Sequence, residues 1–173
     1  TRFNAWVEEA YPDIRIKVLF FAYQAGTNAP VLKDGEGNPI FDENGNYIAV
    51  DEDVVLADNL MLMYAPVRQS FYHSLIEDEN KEFYEVLRAW QACFNEGSEL
   101  ALWLYLCNYE DYGVPLDISQ GWYANLKWAA ENNTVYAYLA SGGNTTAIGG
   151  WTRLLVYLAG KFSENIDCNV DEL

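Results

Sequence analysis

From residue 59 onward, short apolar runs alternate with longer stretches whose apolar residues recur at helical spacing, and this alternation restricts the chain to few architectures. Asn59 to Pro66 (NLMLMYAP), Leu100 to Cys107 (LALWLYLC) and Thr134 to Ala140 (TVYAYLA) read as buried strands. Between the first two, Phe83, Leu87, Trp90 and Phe94 form one apolar stripe that Asn95-Glu96-Gly97 ends. A second helix carries Trp122, Leu126 and Ala129, with Asp117 or Ser119 as its cap and Asn132-Asn133 as its close. After Ser141-Gly142-Gly143-Asn144, a last helix places Ile148, Trp151, Leu155, Leu158 and Phe162 on one face. The order β-α-β-α-β-α implies right-handed crossovers and a parallel sheet covered by helices.

Upstream, Phe3, Trp6, Val7 and Ala10 predict a short opening helix that Tyr11-Pro12-Asp13 stops. Ile14 to Tyr23 (IRIKVLFFAY) predicts a first strand buried on both faces. Residues 26–58 are different in kind, with turn clusters GTNAP, KDGEGNP and FDENGN and an excess of acids. They read as a solvated excursion, with Pro39-Ile40-Phe41 and Tyr47-Ile48-Ala49-Val50 as the arms of a β-hairpin. No repeat of fixed period stands out. The expected fold is α/β: residues 1–173 as a single domain of parallel β/α units resembling the C-terminal half of a (β/α)8 TIM barrel, with 26–58 as an inserted acidic loop or hairpin. Four apolar strands leave two open edges, a liability that the rest of a barrel, a homodimer through those edges, or the excursion would remove.

Charge narrows the partners. Ten Lys+Arg stand against 26 Asp+Glu, a formal charge of −16, so nucleic acid and anionic membrane are repelled. With 51% hydrophobic and 16% aromatic residues, the chain is no disordered acidic tail. No apolar run is long enough to span a membrane, and the N-terminus lacks a signal-peptide pattern. A chain that begins at Thr1 reads as a processed or excised segment. Cys93, Cys107 and Cys168 have no metal-ligand spacing and His73 is the sole histidine, so free thiols are expected and neither a metal nor another cofactor is.

Ligands of parallel α/β folds bind at the C-terminal ends of strands. After the first strand these ends carry Tyr23 and Gln24, and after the second Arg68, Gln69, Tyr72 and His73. The third is followed by Asn108, Tyr109, Glu110, Asp111 and Tyr112, and the fourth by Ser141 to Asn144. Flat rings beside neutral hydrogen-bonding groups suit the faces and hydroxyl edges of a sugar. His73 is a general acid/base or a sugar-hydroxyl partner on this reading, and a loop-bound histidine on the other. Glycoside hydrolysis needs two carboxylates, ~5–5.5 Å apart for retention or ~6.5–9.5 Å for inversion, and Asp78, Glu110 and Asp111 are the acids on that side. Asp42 to Asn46 is explained by turn chemistry, since its glycine is out of step with a calcium loop.

Several phrases together resemble a bacterial family. Tyr11-Pro12-Asp13-Ile14-Arg15-Ile16, Phe21-Ala22-Tyr23-Gln24 and Ala29-Pro30 are similar to its opening. Arg68, His73-Ser74-Leu75, Asp78, Asn80, Phe83, Leu87 and Trp90 are similar to its middle segment, and Trp103, Tyr105, Asn108 and Tyr109 to its third-strand motif. Val135, Gly142 and the closing helix follow its carboxy end. The family is domain of unknown function 4838, found beside alpha-glucuronidase-like and other carbohydrate-active modules. The resemblance implies a glycoside-hydrolase-like barrel of which this chain is the carboxy half, with a glycan cleft lined by Tyr23, Arg68, His73, Trp103, Tyr105, Asn108 and Tyr109. If it hydrolyses, Asp78 and Glu110 are the candidate catalytic carboxylates. Leu104 and Ala140-Ser141-Gly142 stand where that family commonly has Asp and Glu-Gln-Gly, and an alanine methyl moves no proton, so this chain alone is expected to be inactive. The expected setting is a bacterial surface or extracellular protein whose partners are glycan and the other domains of its parent chain. The alternative is a non-catalytic scaffold or interaction domain of a larger surface protein, in which Trp103 and Tyr105 are core.

Overall fold

The computed structural model describes residues 2–14, 16–106, 115–140, 149–169 and 172. It is an α/β fold in which parallel strands alternate with helices: α1 (Arg2–Ala10), β1 (Val18–Ala22), β2 (Leu60–Tyr64), α2 (Lys81–Gln91), β3 (Glu99–Tyr105), α3 (Ser119–Glu131), β4 (Thr134–Ala140) and α4 (Gly149–Glu164). The strands stand in the order β1-β2-β3-β4; α2 and α3 connect β2 to β3 and β3 to β4, while β1 passes to β2 through residues 23–59 without an α-helix. The chain divides into two compact units, residues 1–64 with 85–101 and residues 65–84 with 102–173.

In the first unit β1 and β2 pair in parallel from Val18↔Leu60 to Ala22↔Tyr64. Only one face of β1 is covered. Phe20 meets the Trp90 ring of α2 at 5.7 Å, whereas Leu19 and Phe21, on the opposite face by the period of two, are 39% and 45% exposed. The continuous apolar text of β1 therefore does not mean burial on both faces. The opening helix forms where expected, but of its stripe Val7 is buried while Phe3 and Trp6 are exposed, Trp6 lying between the rings of Phe3 and Tyr11.

Residues 26–58 contain the expected hairpin, with Phe41 bridged to Tyr47, and more besides. Lys33 bridges to Pro39 and Val31 to Ala49, so three short extended pieces pair two by two. The two connecting turns are copies eight residues apart, a repeat that the differing central residues of KDGEGN and FDENGN conceal. In each, an aspartate (Asp34 or Asp42) accepts backbone N–H bonds at 2.9 and 2.8 Å from the residues two and four further on. In each, a glycine at positive φ, Gly37 or Gly45, closes the turn. The segment is also anchored rather than free. Tyr47 donates its hydroxyl to Glu85 of α2 at 2.9 Å, Arg88 donates to the Gly45 carbonyl at 2.9 Å, and Trp90 Nε1 donates to the Thr27 carbonyl at 2.7 Å. Its far end is fixed by Leu56 N–H to the Cys93 carbonyl and by Asn95 Nδ2 to Asp58.

In the second unit α3 packs against β4 and α4. Trp122, Leu126 and Ala129 are buried as their spacing predicts, and so are Leu155, Leu158 and Phe162 of α4. Asp117 accepts the Ser119 hydroxyl at 2.8 Å at the head of α3. Ile148 lies outside the described residues. Cys93 and Cys168 are free thiols, and Cys107 lies outside the described residues. No helix among the described residues is long and apolar enough to cross a membrane.

Candidate functional site: an aromatic strand-end face and the His73 loop

The second unit collects the aromatic side chains at the C-terminal ends of β3 and β4. Trp103 and Tyr105 lie on one face of β3, as residues two apart must. Tyr138 of β4 stacks on Trp103 with ring centroids 4.0 Å apart and planes 29° from parallel. Tyr105 lies 6.4 Å from Trp103 on one side and 5.8 Å from Phe71, in the loop after β2, on the other. In the row Phe71-Tyr105-Trp103-Tyr138, Tyr105 is buried, Phe71 and Trp103 are half-buried, and Tyr138 is 40% exposed. A buried ring thus backs a row whose last member reaches solvent.

The loop from Ala65 to Asn80 rises beside α3 and is fixed from several directions. Asn80, fully buried, accepts from Ser70 N–H at 2.7 Å and donates to the carbonyls of Ser70, His73 and Ser74 at 2.9, 3.2 and 2.9 Å. Asn125 of α3 accepts the Leu75 N–H. Gly121 lets the loop pass so close that a Cβ there would lie 2.7 Å from the Tyr72 carbonyl carbon and oxygen. Gln69, in the same loop and buried, has no partner for its Oε1 among the described residues. A buried unpaired acceptor costs free energy unless a water or ligand donor meets it.

His73 turns to two glutamates of its own loop. Its Nδ1 lies 3.0 Å from Glu77 Oε2 and 3.7 Å from Glu79 Oε2. Glu77 Oε1 accepts the Ser74 N–H at 2.8 Å. That backbone bond, followed by the bond to His73, holds the Glu77 carboxyl below its ordinary range. The three ligand atoms of His73, Glu77 and Glu79 lie within 4.8 Å of one another.

Of the residues that the sequence singles out, the structure brings Trp103 and Tyr105 together and adds Phe71 and Tyr138. The signal for Tyr138 is its place two residues before the end of a strand; nothing in the sequence marks Phe71 as its row-mate. Arg68 is exposed on the same loop as Gln69, and Asp78 is exposed in the 3-10 turn Asp78–Asn80. Tyr23, half-buried, follows β1 in the first unit with an extended backbone at the head of the turn Gln24–Gly26. Asn108, Tyr109, Glu110 and Ser141 to Asn144 lie outside the described residues. A separate shallow cleft of about 140 Å³ lies in the first unit, lined by Asn28, Lys33, Tyr47, Glu85 and Val86 among others, where the inserted segment meets α2. No protein-family model, curated protein or solved structure matches the chain.

Proposed function

We propose that this chain is a carbohydrate-binding, glycoside-hydrolase-like β/α domain, similar to domain of unknown function 4838, that holds glycan at the C-terminal ends of β3 and β4. The observation that carries the reading is the stack of Tyr138 on Trp103 near the strand ends, with Tyr138 40% exposed to solvent. A pyranose presents an apolar face of C–H groups to such a ring and directs its hydroxyls sideways to polar neighbours. Arg68, exposed on the loop after β2, supplies donors to those hydroxyls. Tyr105 sits beneath as packing. The family resemblance assigns Asn108 and Tyr109, three and four residues after β3 in sequence, to the same proposed cleft.

Binding, rather than turnover, is the activity that this chain supports. Asp78 is an exposed carboxylate in a 3-10 turn, and Leu104 and Ala140 carry no proton-transferring group. A glycosidase built on this domain takes a further carboxylate, Glu110 or one from another part of the parent protein. The setting that fits is a bacterial extracellular or surface protein. A glycan-array screen of this chain and its parent, with reducing-sugar release measured on every hit, tests the proposal. Binding by both, with release by the parent alone, is expected. Silence from both would replace this reading with a scaffold whose aromatic row is core.

A further inference from the structure

We propose that His73, Glu77 and Glu79 form a mononuclear site for a divalent transition-metal ion of the zinc type, one imidazole nitrogen and two carboxylate oxygens leaving a position open to water. The donor set is of the kind that binds such an ion with three protein ligands and an open position. Tetrahedral ligands about 2.05 Å from zinc lie ~3.3 Å from one another; the Nδ1 of His73 lies 3.0 Å from Glu77 and 3.7 Å from Glu79, and all three ligand atoms lie within 4.8 Å of one another, so small side-chain rotations close the site. An ion at Nδ1 replaces the hydrogen bond between His73 and Glu77.

Two features outside the three ligands prepare the site. The Ser74 N–H holds one oxygen of Glu77 at 2.8 Å and so aims the other at His73, the kind of outer contact that orients metal-binding carboxylates. Asn80 fixes the His73 carbonyl while Asn125 holds Leu75, so the ligand-bearing loop is ordered before any ion arrives. Among the described residues no Lys or Arg forms an ion pair with Glu77 or Glu79, which leaves two carboxylates with no lysine or arginine partner beside one imidazole. All three side chains are between about a third and a half exposed, so an ion reaches them from solvent. The inference does not depend on glycan binding.

Titration of the full chain with Zn2+ alone tests it, read by calorimetry and by the imidazole resonances of His73, which are unambiguous because the chain has one histidine. Expected are one tight equivalent, a large shift of those resonances on saturation, and at least a tenfold loss of affinity in each of His73→Ala, Glu77→Gln and Glu79→Gln. Asp34→Asn with Asp42→Asn, remote acidic turns, should leave the affinity unchanged, and circular dichroism verifies that every variant is folded. Mg2+ or Ca2+ binding as tight as Zn2+, affinity indifferent to His73→Ala, or unmoved imidazole resonances would overturn the site.

Discussion

Single side chains do different kinds of work here, and burial separates them. Asn80 is an amide with no solvent exposure that satisfies one N–H and three carbonyls of its own loop. Asn80→Ala strands those groups, and the expected loss is about 2–4 kcal/mol in urea unfolding. At the exposed turns the outcome is a pH effect instead. Backbone N–H bonds, led by that of Asn38 for Asp34 and that of Asn46 for Asp42, hold both carboxyls below their ordinary 3.8. A lowered folded-state value means that the turns' stabilisation is complete above the ordinary carboxylate range and is lost as pH falls through the lowered value. NMR titration of the two side-chain carboxyls should therefore show midpoints below 3.8, and Asn38→Pro should move that of Asp34 upward by removing the amide bond. The sequence identified Asp42 to Asn46 as turn chemistry. The turn at Asp34 was legible as a turn cluster, but its likeness to the turn at Asp42 was not, because only the aspartate, glycine and asparagine of the two turns coincide.

Elements were more legible than the environments that they find. The close of α3 at Asn132 and the bounds of β4 follow from local sequence, but the expected cap does not: neither Asp117 nor Ser119 caps α3, whose N-cap is Ile118 with no side-chain cap bond. What covers a strand is not local. Phe20 and Phe21 are the same residue type side by side, yet one packs on Trp90 and the other is exposed. The same limit applies to residues 26–58, whose turns were legible but whose attachment through Tyr47, Glu85 and Arg88 depends on residues far away in the chain. Close approach of elements is equally invisible in text. Gly121 reads as a weakness in an otherwise good helix, worth about 1 kcal/mol against alanine. The structure reverses the sign: a Cβ there meets the Tyr72 backbone at 2.7 Å, and backbone yields little. Gly121→Ala should thus destabilise by about 1–3 kcal/mol, seen as a lowered unfolding midpoint, despite its higher helix propensity. An unchanged or raised midpoint would mean that the loop and α3 lie further apart.

For the molecule as a whole the charge of −16 acts on every property at once. Self-repulsion weakens the compact state and salt screens it, so raising the ionic strength from 10 to 300 mM, which shortens the screening length about fivefold, should raise the Tm by ~2–4 °C. The same field repels polyanions and draws cations, which favours neutral glycan and a metal ion over nucleic acid as ligands. The α/β class was legible from the alternation of strand and helix patterns. The aromatic row was legible only in part, because Trp103 and Tyr105 announce a shared face while their partners Phe71 and Tyr138 come from other segments. The most direct test of the central claim is a paired measurement on Tyr138→Ala: affinity for a glycan that the unmodified chain binds, and Tm. If the row is a ligand platform, affinity falls at least tenfold, about 1.4 kcal/mol, while the Tm shifts by no more than ~2 °C. A large fall in Tm with affinity unchanged would show that the row is packing and contradict the account.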